Sequence, residues 1–128
     1  MKEDISRDII ENSFYMINLF YNDSNSDKKE ITNLKLQKLM YFVEAYYMVK
    51  NPAEIELFNS GWSAWNYGPV NVQLYKYYKK FGSMPIVLED EEIQRGYELP
   101  QYNKDCIQEI FNIFSKFSAF EIFTLTNL

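Results

Sequence analysis

The sequence predicts a mainly α fold: a compact bundle of about five helices with a short irregular or β-hairpin insertion. Apolar residues recur at helical spacing along several segments. Polar runs or Gly/Pro signals separate those segments, and residues 55–65 between two of them carry no helical stripe. The 128 residues suit a single domain spanning 1–128, and 47% apolar with 18% aromatic residues excludes a chain that stays disordered.

From Asp4 to about Tyr21, residues Ile5, Ile9, Ile10, Phe14, Ile17 and Phe20 or Tyr21 fall on one helical face. The polar run NDSNSDKKE, Asn22 to Glu30, then reads as a loop. Thr32 or Asn33 can cap the second helix by accepting from its free first-turn N–H groups. Leu36, Leu39, Met40, Val43, Tyr46 and Tyr47 continue it, and Lys50-Asn51-Pro52 stops it, because proline pushes the preceding residue out of helical geometry. Ile55 to Trp65 is expected to be irregular or briefly extended. Gly68-Pro69 reads as the opening of a third helix, with Leu74, Tyr75, Tyr78 and Phe81 inward and Gly82 as its C-cap. Pro85 to Leu88 and Ile93 to Leu99 read as two short strands of a hairpin or an ordered excursion, with the acidic run between them a solvated turn. Asn103 is expected to cap a fourth helix carrying Ile107, Ile110, Phe111, Phe114 and Phe117. Ser118-Ala119-Phe120-Glu121 has the form of a capping box, which starts a fifth helix at about Ala119.

The chain has no histidine, which removes imidazole bases, His-based triads and His metal ligands. Cys106 adjoins an apolar stripe and reads as a half-buried structural thiol. The four glycines are scattered, so no phosphate-binding loop is present, and Glu89, Asp90, Glu91 and Glu92 lack the alternating ligands and turn glycine of a Ca²⁺ loop. No catalytic, cofactor-binding or metal-ligating residue is therefore assigned.

With 13 Lys+Arg against 18 Asp+Glu, the net charge of -5 argues against general attraction to nucleic-acid phosphates. The lysines of YKYYKK, Tyr75 to Lys80, fall on the wet side of a helix. No apolar run approaches the roughly 20 residues of a membrane span, and the N-terminus lacks the layout of a signal peptide. A cytoplasmic location and a protein partner are expected, with no preferred oligomeric state. Partner recognition falls to the aromatics, since Trp and Tyr are enriched at interface hot spots. Alternation along Gly61 to Tyr67 sets Trp62 and Trp65 on opposite faces, with Trp65 expected inside and Trp62 partly outside.

Two blocks add a family likeness. Leu34, Lys35, Leu36, Gln37, Lys38, Leu39, Tyr41 and Phe42 form a helix motif, followed by Leu57-Phe58 and then Ala64, Trp65, Tyr67, Gly68, Pro69 and Val70. In this order and separation they resemble the Panacea antitoxin domain, the SocA-like or GepA-type phage-associated family. The resemblance implies a mostly helical domain of phages, mobile elements and toxin–antitoxin pairs that acts by protein contact. Members neutralise toxins encoded beside them, and the SocA type also delivers its toxin to a ClpX-type protease. The family pattern continues into a Thr-His segment and Pro-Trp, whereas this chain reads TLTNL over 124–128, so a C-terminally shortened domain is expected.

The resulting expectation is an antitoxin-like module that contacts a toxin or host factor, with Lys35, Gln37, Lys38, Trp65 and Tyr67 forming the shared surface or the polar network that shapes it, and Trp62 at the contact. The alternative is a phage-encoded inhibitor of a CRISPR-type defence nuclease, in which Glu89, Asp90, Glu91 and Glu92 occupy a basic nucleic-acid channel.

Overall fold

A computed structural model describes residues 4–23, 30–66 and 68–126. The architecture is mainly α with one small hairpin. In chain order the elements are α1 (Ile9–Asn22), α2 (Asn33–Lys50), β1 (Ser63–Trp65), β2 (Gly68–Val70), α3 (Val72–Tyr78), α4 (Asp90–Tyr97), α5 (Gln101–Phe114) and α6 (Ala119–Thr126). A 3₁₀ turn, Lys79–Phe81, extends α3. Among the described residues, no helix is long and apolar enough to cross a membrane.

The first helix starts later than its apolar spacing suggests. Asp8 has extended backbone angles, and its carboxylate accepts from the N–H groups of Ile10 at 2.9 Å and Glu11 at 3.4 Å. That capping sets the start at Ile9 and leaves Ile5 packing against the core from the lead-in segment. Thr32 caps α2 by accepting from Lys35 N–H at 3.2 Å, and α2 stops at Lys50, ahead of Pro52. Most of the expected loop Asn22 to Glu30 lies outside the described residues.

Three elements correct the sequence reading. Gly68-Pro69 does not open a helix; Gly68–Val70 is the second strand of a hairpin, paired as Ser63↔Val70, Ala64↔Pro69 and Trp65↔Gly68. A two-stranded ribbon has only edge strands, where a proline lacking its N–H is tolerated. The helix starts after it, with the Asn71 side chain accepting from Leu74 N–H at 2.9 Å. Residues 90–97, read as part of a second hairpin around a solvated acidic turn, instead form α4. The Glu92 carboxylate reaches back to Glu89 N–H at 2.8 Å, so the acidic run supplies a helix start, where the helix dipole favours negative charge. Asn103 does not cap α5, which begins after Pro100. Its buried amide accepts from Ser6 N–H at 2.8 Å and donates to Ser6 C=O at 2.8 Å and Asn12 Oδ1 at 2.9 Å, tying α5 to the chain entering α1.

The fifth expected helix is present as α6. Ser118 Oγ accepts from Glu121 N–H at 3.1 Å while the Glu121 carboxylate accepts from Ser118 N–H at 3.0 Å. Both halves of the capping box are thus formed.

The core lies where α1 and α2 pack on α5. Phe14, Phe20, Leu39, Val43, Ile107 and Ile110 belong to one buried cluster, and Cys106 joins it as a buried rather than half-buried thiol. Tyr78 enters the core from α3, its hydroxyl hydrogen-bonded to Ser13 Oγ at 2.6 Å. Burial pushes the Tyr78 pKa upward.

The helix α4 lies directly on α1 through Gly96. A Cβ at Gly96 would stand 2.9 Å from the Tyr15 backbone nitrogen and 3.1 Å from the Phe14 carbonyl carbon. Backbone cannot yield as a side-chain tip can. Gly96→Ala is expected to destabilise the fold by about 1–3 kcal/mol through forced separation of the two helices. Urea titration checks this, and an unchanged midpoint would show that α4 can shift freely.

Candidate protein-docking site

The helix α2 carries polar residues on a face that a folded chain would ordinarily fill with apolar ones. Asn33, Gln37 and Glu44 recur at helical spacing, and all three are buried. Each fastens part of the segment that leads through the hairpin into α3.

Glu44 holds the approach. Its carboxylate accepts from the backbone N–H of Leu57 and of Phe58 (3.4 Å), and from Trp62 Nε1 at 3.2 Å. The Trp62 ring meets Tyr41 edge-on at 5.2 Å between centroids. Trp62 is therefore half-buried, bound to the scaffold at both its polar and its apolar part.

Gln37 holds the exit. Its Oε1 accepts from Asn71 N–H at 2.8 Å, while its Nε2 donates to Asn71 C=O at 3.4 Å and Asn33 Oδ1 at 3.5 Å. Asn33 in turn donates to Tyr75 C=O at 3.1 Å. Asn71 itself donates to Ser60 Oγ at 2.7 Å and Gly61 C=O at 2.9 Å, closing the base of the hairpin while capping α3. Every link is a hydrogen bond to a buried or partly buried group, so each also avoids the cost of an unpaired one.

The two motif lysines are also inside. Lys35 is 3% exposed, with its ammonium 4.3 Å from the centre of the Phe20 ring. Lys38 is 2% exposed; its Nζ lies beneath Gly68 and 5.1 Å from the centre of the Phe123 ring, without a hydrogen-bond partner among the described residues. Burial pushes the Lys38 pKa below its ordinary value. Gly68 has φ 105°, a conformation that favours glycine, and a Cβ there would fall 2.4 Å from Lys38 Nζ.

The expected placing of Trp65 is corrected, since it is not inside but 45% exposed, whereas Trp62 is partly outside as expected. The buried polar network clamps the hairpin at its base, which carries Trp65 out towards the tip. There its ring meets Tyr75 of α3 at 5.3 Å between centroids. Together with Leu34, Val70 and Lys79, these rings line a mostly apolar groove of about 560 Å³ between the start of α2, the hairpin and the end of α3. Leu34 is 43% exposed. Tyr67 lies outside the described residues.

Of the residues expected at a contact surface, Trp65 thus lies on the groove, Gln37 reaches it from the network below, and Lys35 and Lys38 lie in the interior. Sequence reasoning did not single out Glu44, Asn71, Leu34 or Lys79 for this region. Two of them left a signal. Glu44 is a lone charge in the apolar run LMYFVEAYYMV, and Asn71 directly precedes the helical stripe of α3.

The acidic group lies elsewhere, at the start of α4. Glu89, Asp90 and Glu91 are exposed, whereas the Glu92 carboxylate also accepts from the Tyr77 hydroxyl. Burial, that hydrogen bond and the neighbouring negative charge push the Tyr77 pKa up to about 12. Among the described residues, no cluster of His, Cys, Asp or Glu is arranged to hold a metal ion.

The family model described as the antitoxin SocA-like, Panacea domain matches residues 36–127, well over half of the chain. No curated protein and no solved structure matches the chain.

Proposed function

The chain belongs to the SocA-like Panacea antitoxin family, and on that premise we propose that it neutralises a partner toxin by direct contact through the groove beside Trp65. The family membership supports an antitoxin-type role and a protein partner. The observation that carries the site is the exposed Trp65, held on a hairpin whose base is fastened by Gln37 and Asn71. A large, rigid aromatic presented from a fixed backbone loses little conformational freedom on binding, which is the property of an interface hot spot.

Co-expression with each protein encoded beside this gene tests the reading. Rescue of growth from a toxic neighbour, with recovery of a stable complex of the two, is the expected outcome. A folded protein that rescues none of them would overturn it. Delivery of the bound toxin to a ClpX-type protease is a finer form of the proposal; it predicts a toxin half-life that lengthens when the protease is deleted.

A further inference from the structure

From the groove's chemistry we infer the kind of segment it takes: an acidic stretch of the partner that inserts large apolar side chains between Trp65 and Leu34 and sets its carboxylates against Lys79. This deepens the antitoxin reading and rests on it.

The groove combines two properties. Its lining is mostly apolar, with Trp65 and Leu34 exposed at its sides and buried Val70 contributing to the lining. Its charge is also inverted: in a chain with 18 Asp+Glu, no carboxylate among the described residues lines it, and the charged residue among them that does is Lys79. Lys76 and Lys80, also exposed, flank that position along α3 and its 3₁₀ extension.

The net charge of -5 repels an acidic segment at long range. Screening decides otherwise, because at physiological salt charges beyond roughly 8 Å are largely masked and the nearest side chains dominate. Lys79 at the edge of an apolar cleft therefore selects for acid at the rim and apolar bulk at the centre, the arrangement expected of an amphipathic occupant. Basic segments would meet like charge there, so the same rim also discriminates between partners.

A second exposed apolar cleft, around Phe117, Phe120 and Leu125, has Glu121 as the charged residue in its lining. It offers no comparable selectivity for acid.

Two synthetic probes test the inference. One is an amphipathic peptide with Leu and Phe on one face and Glu on the other; the second replaces every Glu with Lys. Titrated against the full chain by isothermal calorimetry, the acidic peptide is expected to bind about tenfold or more tightly than the basic one. Trp65→Ala should weaken the acidic peptide by roughly tenfold or more. Lys79→Glu should reduce or reverse the preference. Thermal melts of both variants should stay near wild type, because neither side chain is buried.

Equal affinity for the two peptides, absence of binding, or indifference to both substitutions would overturn the inference. Its fate is separable from that of the antitoxin reading. Neutralisation of a neighbouring toxin that survives both substitutions removes the groove and keeps the antitoxin; selective peptide binding without any neutralised neighbour does the reverse.

Discussion

Glu44→Ala should destabilise the protein by about 3–5 kcal/mol, since it removes the acceptor of several buried donors at once. Glu44 is 4% exposed, and its carboxylate serves the backbone N–H groups of Leu57 and Phe58 together with Trp62 Nε1. After truncation water has little access to those donors, and each unpaired one costs about 1–3 kcal/mol. Glu44→Gln keeps one oxygen acceptor but turns the other position into a donor facing donors, so an intermediate loss is expected. Urea unfolding followed by tryptophan fluorescence measures both, with Trp62 reporting from the site itself. A loss for Glu44→Ala no larger than about 0.5 kcal/mol, the scale of an ordinary surface substitution, would show that the loop finds other acceptors.

The consequence reaches the candidate site through the chain. Residues 57 to 62 lead directly into β1, so releasing them loosens one end of the hairpin that presents Trp65. Partner binding should therefore fall with Glu44→Ala even though Glu44 lines no part of the groove. This separates two ways of losing binding: Trp65→Ala removes a contact and spares stability, whereas Glu44→Ala removes the support and reduces both.

The helical frame was legible wherever a local signal and the core agreed. Thr32 at the start of α2, Pro52 after its end and the Ser118/Glu121 box each satisfy backbone groups within a few residues of themselves, so sequence neighbours suffice to recognise them. Two of the readings that failed did so where a partner outside the local signal decided. Asn103 looks like a cap, but Ser6 and Asn12, remote in sequence, claim its amide. Gly68-Pro69 looks like a helix start, but pairing with β1 claims it as strand, and Asn71 takes the capping role instead.

The candidate site followed the same division. The motif residues of α2 were visible as a pattern, but their placement was not, since long lysine side chains are expected in water and here lie inside. The expectation for Trp65 failed for a related reason. Alternation correctly separated Trp62 from Trp65, yet it contains no information about which face meets the core. The acceptor at Glu44 decides that, drawing the Trp62 indole inward and leaving Trp65 outside.

Lys38→Met should stabilise the protein by about 1–4 kcal/mol at neutral pH, because a buried cation without a hydrogen-bonding counterpart is replaced by an apolar side chain of similar length. Lys38 Nζ has no hydrogen-bond partner among the described residues, and the Phe123 ring at 5.1 Å supplies only a cation–π contact. Such contacts are worth about 2 kcal/mol when desolvated, less than the several kcal/mol that removing an ammonium from water costs. The pH dependence follows from burial, which lowers the folded-state pKa below the ordinary 10.5. Between the folded value and 10.5 the unfolded chain binds more protons than the folded one, so the wild type gains stability as pH rises through that window. Methionine has no such gain, and its advantage should shrink as pH climbs towards 10.5. The raised tyrosine pKa values act on both proteins and cancel in the difference. Urea titrations of the pair at neutral and alkaline pH make the measurement; a pH-independent gap, or a less stable Met variant, would mean that the ammonium is not an unpaired charge in the fold. Repeating the toxin rescue with Lys38→Met then assigns the residue its role. Loss of rescue in a more stable protein would make the buried charge part of recognition, whereas retained rescue would show that recognition does not need it.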